Sequence, residues 1–385
     1  MPAPAPRAAF DAHMMAIALR LAERGLGRTA PNPAVGAVIA DEATGEVIAR
    51  GWTAPGGRPH AETEAIARAG ARARGATMYV TLEPCSHHGA TPPCAGAIIA
   101  AGITRVVCAV EDPDPRVAGR GLSTLRDAGI AVARGLMAEA AHWMTAGHIL
   151  RVTERRPFVA TKLALGADGA VPRGAQGQPV WATSDAARAA GHLMRARADA
   201  ILVGRGTVID DDPLLTCRLP GLEDRSPMRV VLARRLDGLH ASRLALTAPE
   251  RGLWVFCGGD SDAAKLEAVG ARIFRVPVIG GALWLPSVME ALVAEGMTRL
   301  LVEGGPTTWR AFSEAGLVDE AVLIHARARG SAALSEAHGL AVLQRYVATA
   351  NLQLFDHRTV GSDDMMVFRR HWRSLEAPTA HKKAS

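Results

Sequence analysis

The chain has 385 residues, 49% of them apolar, with a formal charge of +6 and a pI near 9.4. That length exceeds a usual single domain and predicts two. No run approaches the roughly 18 apolar residues of a membrane span, and the basic residues are scattered rather than gathered into a nucleic-acid stripe, so the expectation is a protein that binds phosphorylated small molecules and neither membrane nor nucleic acid. The start, Met1-Pro2-Ala3-Pro4-Ala5-Pro6-Arg7, lacks the apolar core of a signal peptide. Five cysteines form an odd, sparse set that reads as reduced, in keeping with a cytoplasmic protein.

In chain order, an Ala-Pro leader expected to be disordered precedes Met14, Ile17, Ala18 and Leu21 at helical spacing. Pro31-Asn32-Pro33 leads into a buried strand from Val35 to Ile39, and Thr44-Gly45 turns into a partner strand from Val47 to Trp52. Helices are predicted over Ala61 to Arg68, Pro93 to Ala101, Leu122 to Ala128 and Ala138 to Ile149. Strands are predicted over Thr77 to Leu82, Thr104 to Val110 and Ile130 to Ala133. The alternation predicts an α/β sandwich with a metal at one edge of the sheet. Arg151 to Pro157 reads as a polar, basic linker.

Beyond it a second alternating region runs from a strand at Phe158 to Leu163 to one at Met365 to Arg369. Thr183-Ser184-Asp185 caps a helix reaching Arg197. A strand from Arg299 to Val302 ends in Glu303-Gly304-Gly305-Pro306 and opens a helix, a turn where small residues and a helix N-terminus can receive a phosphate. An ordinary glycine-rich turn is the competing account. No Gly-x-Gly-x-x-Gly follows an early strand, so a Rossmann domain is unsupported.

The densest chemistry lies between His60 and Cys94. Pro59-His60-Ala61-Glu62, then Glu83-Pro84-Cys85 and Pro92-Pro93-Cys94, supply one imidazole and two thiolates, the donors of a zinc site that keeps a position for water. His-x-Glu followed by Pro-Cys and a second Cys is the pattern of zinc nucleobase deaminases, in which the glutamate is not a ligand but moves protons. The competing account is a structural zinc closed by His87 or His88; Glu62, which such a site does not need, argues for catalysis. The usual Cys-x-x-Cys is replaced here by a longer loop, Ser86 to Pro93.

With both halves in view, the chain resembles the bifunctional deaminase–reductase of riboflavin biosynthesis over nearly its full length. The first half matches in Pro31 to Gly36, His60-Ala61-Glu62, Tyr79 to Cys94, Glu111-Asp112-Pro113 and Val117 to Gly121. The second matches in Lys162-Leu163, Asp168-Gly169, Trp181, Thr183-Ser184, Arg195, Asp199 to Gly204, Thr207, Asp211-Asp212-Pro213, Leu215-Thr216, Arg218 and Glu303 to Thr307. The resemblance implies a cytidine-deaminase-like three-layer α/β domain over 1–150, a dihydrofolate-reductase-like α/β domain over 151–373, and a loose tail over 374–385. It implies Zn2+ at His60, Cys85 and Cys94, with Glu62 as the catalytic proton carrier. It implies a phosphorylated pyrimidine at Asn32 and Asp112 in one half and at Arg195, Leu215, Arg218 and Glu303 in the other. NADPH is implied at Ala164, Trp181, Thr207, Asp211, Gly304, Gly305 and Pro306, and a homo-oligomer is expected.

Several positions depart from that pattern. Thr53 stands where a His is usual, Ala90 where a Lys or Arg is usual, and Asp114 where an Asn is usual. Loss of the cation at Ala90 weakens a phosphate grip unless Arg116 or another Arg takes its place. In the second half Gly166-Ala167, Pro179 and Ala233-Arg234 depart likewise, and Arg234 is a candidate for the cofactor's 2′-phosphate. Two other readings compete: a nucleic-acid deaminase, motivated by the basic pI, and a metal-stabilised scaffold that has lost its substrate.

Overall fold

A computed structural model of the chain describes residues 5–86, 92–173, 180, 182–327, 330, 333–348 and 351–371. The first half is built on five strands, β1 (Gly36–Ala40), β2 (Val47–Trp52), β3 (Thr77–Val80), β4 (Arg105–Cys108) and β5 (Ala131–Arg134), in the order β2-β1-β3-β4-β5. β1 pairs antiparallel with β2 and β3, whereas β3, β4 and β5 run parallel. β1 and β3 are buried along their whole length, which is why they read as continuous apolar runs rather than alternating ones.

The helices are α1 (Ala5–Ala22), α2 (Ala61–Ala69), α3 (Cys94–Ala100), α4 (Arg120–Asp127) and α5 (Ala138–Thr153). α1 packs with α5, and α2, α3 and α4 pack in succession, so helices cover both faces of the sheet in three layers. α1 lies so close to β1 that a Cβ on Gly36 would stand 1.9 Å from the Ala18 carbonyl oxygen.

The second half carries a nine-stranded sheet of β6 (Phe158–Leu165), β7 (Ala200–Gly204), β8 (Met228–Leu232), β9 (Trp254–Cys257), β10 (Arg272–Arg275), β13 (Arg299–Val302), β14 (Glu320–His325), β15 (Leu352–Val360) and β16 (Asp363–Arg370), with a small hairpin of β11 (Val278–Ile279) and β12 (Ala282–Leu283) outside it. Their order is β10-β9-β8-β7-β13-β6-β14-β16-β15, parallel up to β14 and antiparallel for the last two. Separate apolar clusters flank the sheet, one around Phe256, Leu300 and Phe312 and one around Ile201, Val231 and Leu301. α6 (Asp185–Ala196) starts at Ser184, whose hydroxyl accepts from the Ala187 N–H, and α7 (Arg205–Asp211) follows β7 directly.

Three expectations are corrected by this architecture. The leader is not wholly disordered: α1 begins at Ala5, with Pro6 in the first turn, where its missing N–H leaves no helical bond unmade. The linker is shorter than it reads, because α5 runs on to Thr153 and Arg156 is buried in a bidentate pair with Asp319 at 2.6 and 2.9 Å. The metal-type residues gather off the end of β3, the middle strand, rather than beside an outer one.

Candidate active sites

His60 is the residue preceding α2, in extended backbone, and Cys94 is the first residue of α3. Cys85 follows β3. His60 Nδ1 stands 3.3 Å from Cys94 Sγ and 3.7 Å from Cys85 Sγ, and the three donor atoms lie within 4.8 Å of one another. Tetrahedral zinc at ordinary Zn–N and Zn–S lengths requires ligand separations of about 3.6 Å. The donor set therefore fits zinc in both chemistry and spacing. Among the described residues the cluster has only these three members; His87 and His88, like Ala90, lie outside them.

The two thiols are polarised unequally. A hydrogen bond from Cys94 holds the Cys85 thiol down to about 4, and the same contact pushes Cys94 up, so Cys85 carries the thiolate. Glu62 sits one residue inside α2, buried and in contact with Cys94; burial pushes its carboxyl up to about 7. A group in this range can both take and release a proton near neutral pH.

Asn32 donates to the Gly57 carbonyl at 3.2 Å, three residues before His60. Gly57 has φ +86°, and a Cβ there would lie 1.9 Å from Asn32 Nδ2, so the close approach needs glycine. Asp112 is buried, and its Oδ1 lies 2.9 Å from His148 Nε2. Glu83 accepts from the N–H groups of Asp112, Gly119 and Leu122 at 3.2, 2.9 and 3.1 Å, tying the Asp112 loop to the strand end that carries Cys85. The sequence reading singled out neither His148 nor the anchoring role of Glu83. Of the departures, Thr53 is buried with its hydroxyl accepting from the Val35 N–H at 3.0 Å, and Asp114 is held near 2 by Arg116.

The second site lies where β6, β13 and β7 end side by side. Glu303 follows β13, its side chain 6% exposed, and takes Lys162 Nζ at 2.9 Å and Arg195 through Nε and Nη2 at 2.8 and 2.9 Å. Burial pushes the Glu303 carboxyl up, but Arg195 and Lys162 more than offset it and hold it well below the usual range. Arg195 also donates to the Thr216 carbonyl, next to Leu215, which is buried with φ +55°. Arg218 is exposed and makes no hydrogen bond among the described residues, so it rather than Arg195 is the free cation here. His192, unnoticed in the sequence, joins the cluster; burial, then Arg195 and Arg218, push it down to about 4, and its Nδ1 is buried without a partner.

Of the residues expected around a dinucleotide, Ala164 lies on β6, and Gly304, Gly305 and Pro306 form the turn into the helix Pro306–Glu314. Thr207 and Asp211 lie on α7, with Thr207 Oγ1 3.9 Å from where a Gly305 Cβ would stand and Asp211 3.3 Å from Arg173. A bare turn at a helix N-terminus beside a hydroxyl suits a pyrophosphate. Trp181 and Pro179 lie outside the described residues.

Comparison with known proteins places these two sites in one lineage. The family described as RibD C-terminal domain matches residues 157–365, and the cytidine and deoxycytidylate deaminase zinc-binding region matches 9–110. Riboflavin biosynthesis protein RibD of Escherichia coli is 39% identical over 368 residues, covering 92% of this chain and 97% of that protein. The chain belongs to the RibD family. The Aquifex aeolicus member is 38% identical over 82% of this chain and 86% of its own length. Among solved structures, Acinetobacter baumannii RibD superposes with a TM-score of 0.79 at 30% identity, over 95% of this chain and 100% of that one. A Thermotoga maritima protein described as a diaminohydroxyphosphoribosylaminopyrimidine deaminase and 5-amino-6-(5-phosphoribosylamino)uracil reductase gives 0.77 at 32% identity, with the same coverage. The chain is thus a bifunctional enzyme of riboflavin biosynthesis, a zinc-dependent deaminase joined to an NADPH-dependent reductase, with a cytidine-deaminase-like fold followed by a dihydrofolate-reductase-like one. No helix among the described residues is long and apolar enough to cross a membrane.

Proposed function

We propose that the half spanning 1–150 deaminates 2,5-diamino-6-(5-phosphoribosylamino)pyrimidin-4(3H)-one, and that the half spanning 151–373 then reduces the ribosyl group to give 5-amino-6-(5-phosphoribitylamino)uracil. The observation that carries the first step is the buried Glu62 beside three zinc-type donors, to which the described residues add no fourth. Zinc held by His60, Cys85 and Cys94 supplies a water acidic enough to ionise near neutral pH. Glu62 is placed to hold a proton on its carboxylate and hand it to the departing amine, so that, with water added at the ring carbon, ammonia would leave and a ring carbonyl would replace the amino group. Asn32 and Asp112 flank the pyrimidine, with His148 and Glu83 holding Asp112 in place.

In the second step NADPH supplies a hydride to C1 of the opened ribose. Lys162, ion-paired to Glu303 at 2.9 Å, sets its Nζ among the strand ends of this site. Arg195 fixes Glu303 by a forked contact, Leu215 lines the same pocket, and Arg218 is left to take the phosphate. Ala164, Trp181, Thr207, Asp211 and the Gly304-Gly305-Pro306 turn receive the dinucleotide. Assembly into a homo-oligomer belongs to the same proposal and is read by sedimentation.

The test uses zinc-loaded protein and the diaminopyrimidine, with and without NADPH. Ammonia release independent of NADPH, followed by NADPH oxidation only when both are present, is the expected result. Absence of ammonia would remove the first assignment, and ammonia without any NADPH oxidation would remove the second.

A further inference from the structure

Between the two halves lies a cleft of about 460 Å3, bounded by Arg24 and Arg28 just after α1, by Trp52 and Thr53, and by Asp224 and Arg225 of the second half. Thr53 and Pro55, which line it, lie on the loop that leads from β2 to His60. Ala54 N–H donates to the Pro59 carbonyl at 3.1 Å, closing an arch immediately before His60, and Gly56 N–H donates to the Arg28 carbonyl at 2.8 Å. Asn32 reaches the same arch at Gly57.

We propose that this cleft is the phosphate subsite of the deamination step, in which Arg24, Arg28 and Arg225 grip the phosphate monoester of a substrate whose pyrimidine lies at His60, Cys85 and Cys94. The inference rests on the deaminase reading above and adds which residues hold the substrate's charged end. Three guanidinium groups face one carboxylate. Arg24 is stacked 4.3 Å over Trp52 and makes no hydrogen bond among the described residues. Arg28 meets only Asp224, at 3.3 Å, near the surface. Arg225 donates through Nη2 to the carbonyls of Arg24 and Leu26 at 3.1 and 2.9 Å, while its Nε is buried with no partner. Burial, then Arg28, push the Arg225 pKa down, a strain that a bound anion relieves. A phosphate monoester carries about −1.5 to −2 at neutral pH, which matches the excess of two cations. Arg116, beside Asp114, is taken up by that carboxylate. The cleft thus offers cationic donors close to the pyrimidine, where Ala90 and Thr53 offer none, and Arg225 brings the reductase half into the first reaction.

The test compares KM and kcat for ammonia release in wild type, Arg28→Ala, Arg28→Lys and Arg225→Lys, on the phosphorylated substrate and on its dephosphorylated form. Arg28→Ala is expected to raise KM for the phosphorylated substrate about 10- to 100-fold, with kcat changed less than about twofold. KM for the dephosphorylated form should not move, and Arg28→Lys should recover most of the loss. Arg225→Lys, which keeps charge but loses the forked geometry, should raise KM for the phosphorylated form alone. NADPH oxidation of the deaminated substrate serves as the folding control and should be unchanged in every variant. Equal effects on both substrates, or none on either, would overturn the subsite while leaving the deaminase assignment standing. A wild type that releases no ammonia would instead remove that assignment and the subsite with it.

Discussion

Glu62 and His192 show how the fold sets the protonation of single groups. Glu62 is a buried carboxyl next to ligands that need their negative charge, and its proposed work is to carry a proton rather than to bind metal. Glu62→Gln keeps its size and removes the carrier. Ammonia release should fall by about 10²–10⁴-fold, while zinc content measured by atomic absorption stays at the wild-type level. Loss of zinc together with activity would make Glu62 a structural support instead. His192 is an imidazole kept neutral: its ordinary value of 6.5 is lowered to about 4, chiefly by burial and then by Arg195 and Arg218. A group lowered in this way favours the native state fully above its unfolded value. As pH falls from about 6.5 toward 4, the unfolded chain binds a proton that the folded chain does not, and stability declines. Thermal unfolding followed from about pH 7 to pH 5 should show wild type losing more Tm than His192→Gln, which has no proton to bind. Parallel curves would mean that the imidazole titrates freely in the folded protein.

At the scale of elements, the metal-type cluster was legible because its parts carry chemistry at short spacing: His60 and Glu62 at one helix start, Cys85 after a strand, Cys94 at the next helix start. His148 was not, since it lies inside α5, 36 residues from Asp112, and nothing in a helical run of Ala, Met, Thr and Ile marks one histidine as a partner. β10 was missed for another reason. Arg272 and Arg275 border only two apolar residues, and the strand exists because it adds to β9 in parallel register. The helix Glu336–Gln344 contains Gly339, which reads as a break, yet the helix runs through it, with Met366 Sδ filling the space 2.2 Å from where a Cβ would stand. The supposed linker is the clearest case. Arg156 looks like surface charge in sequence, but it meets Asp319 across 163 positions, and Asp319 also accepts from the Val159 N–H at 2.9 Å. Asp319→Ala would leave the buried Arg156 guanidinium with Glu154, at 2.7 Å, in place of a two-carboxylate pairing, and one N–H unsatisfied, at a cost of about 3 kcal/mol. Calorimetry should show a correspondingly large fall in Tm. A change comparable to a surface substitution would mean that water reaches Arg156.

Across the whole molecule, two sheets carry two chemistries with different donor sets. Among the described residues, His60, Cys85 and Cys94 form the one group of metal-type side chains, whereas the second site is a lysine and an arginine around one glutamate. Among the described residues zinc therefore has a site in the first half alone, and its removal should separate the activities. Treatment with a chelator should abolish ammonia release from the diaminopyrimidine, and zinc should restore it. NADPH oxidation should continue at its original rate when the already deaminated substrate is supplied, because Glu303 after β13, Lys162 on β6 and Arg195 on α6 owe nothing to the metal. Chelation should also lower the unfolding temperature of the first half, since a ligand bound only by the native state stabilises it in proportion to RT ln(1 + [L]/Kd). The shared face limits that independence. Gly147 of α5 lies so close to the start of β13 that a Cβ would stand 2.6 Å from the Thr298 carbonyl oxygen, and Trp143 packs edge-on against Phe158 at 5.9 Å. Loosening of α5 on zinc loss would therefore reach β6 and β13. A chelated protein that keeps its reductase rate at low temperature and loses it on warming earlier than the zinc-loaded form would show this coupling. Loss of reductase rate at low temperature would show instead that the second site depends on the metal itself.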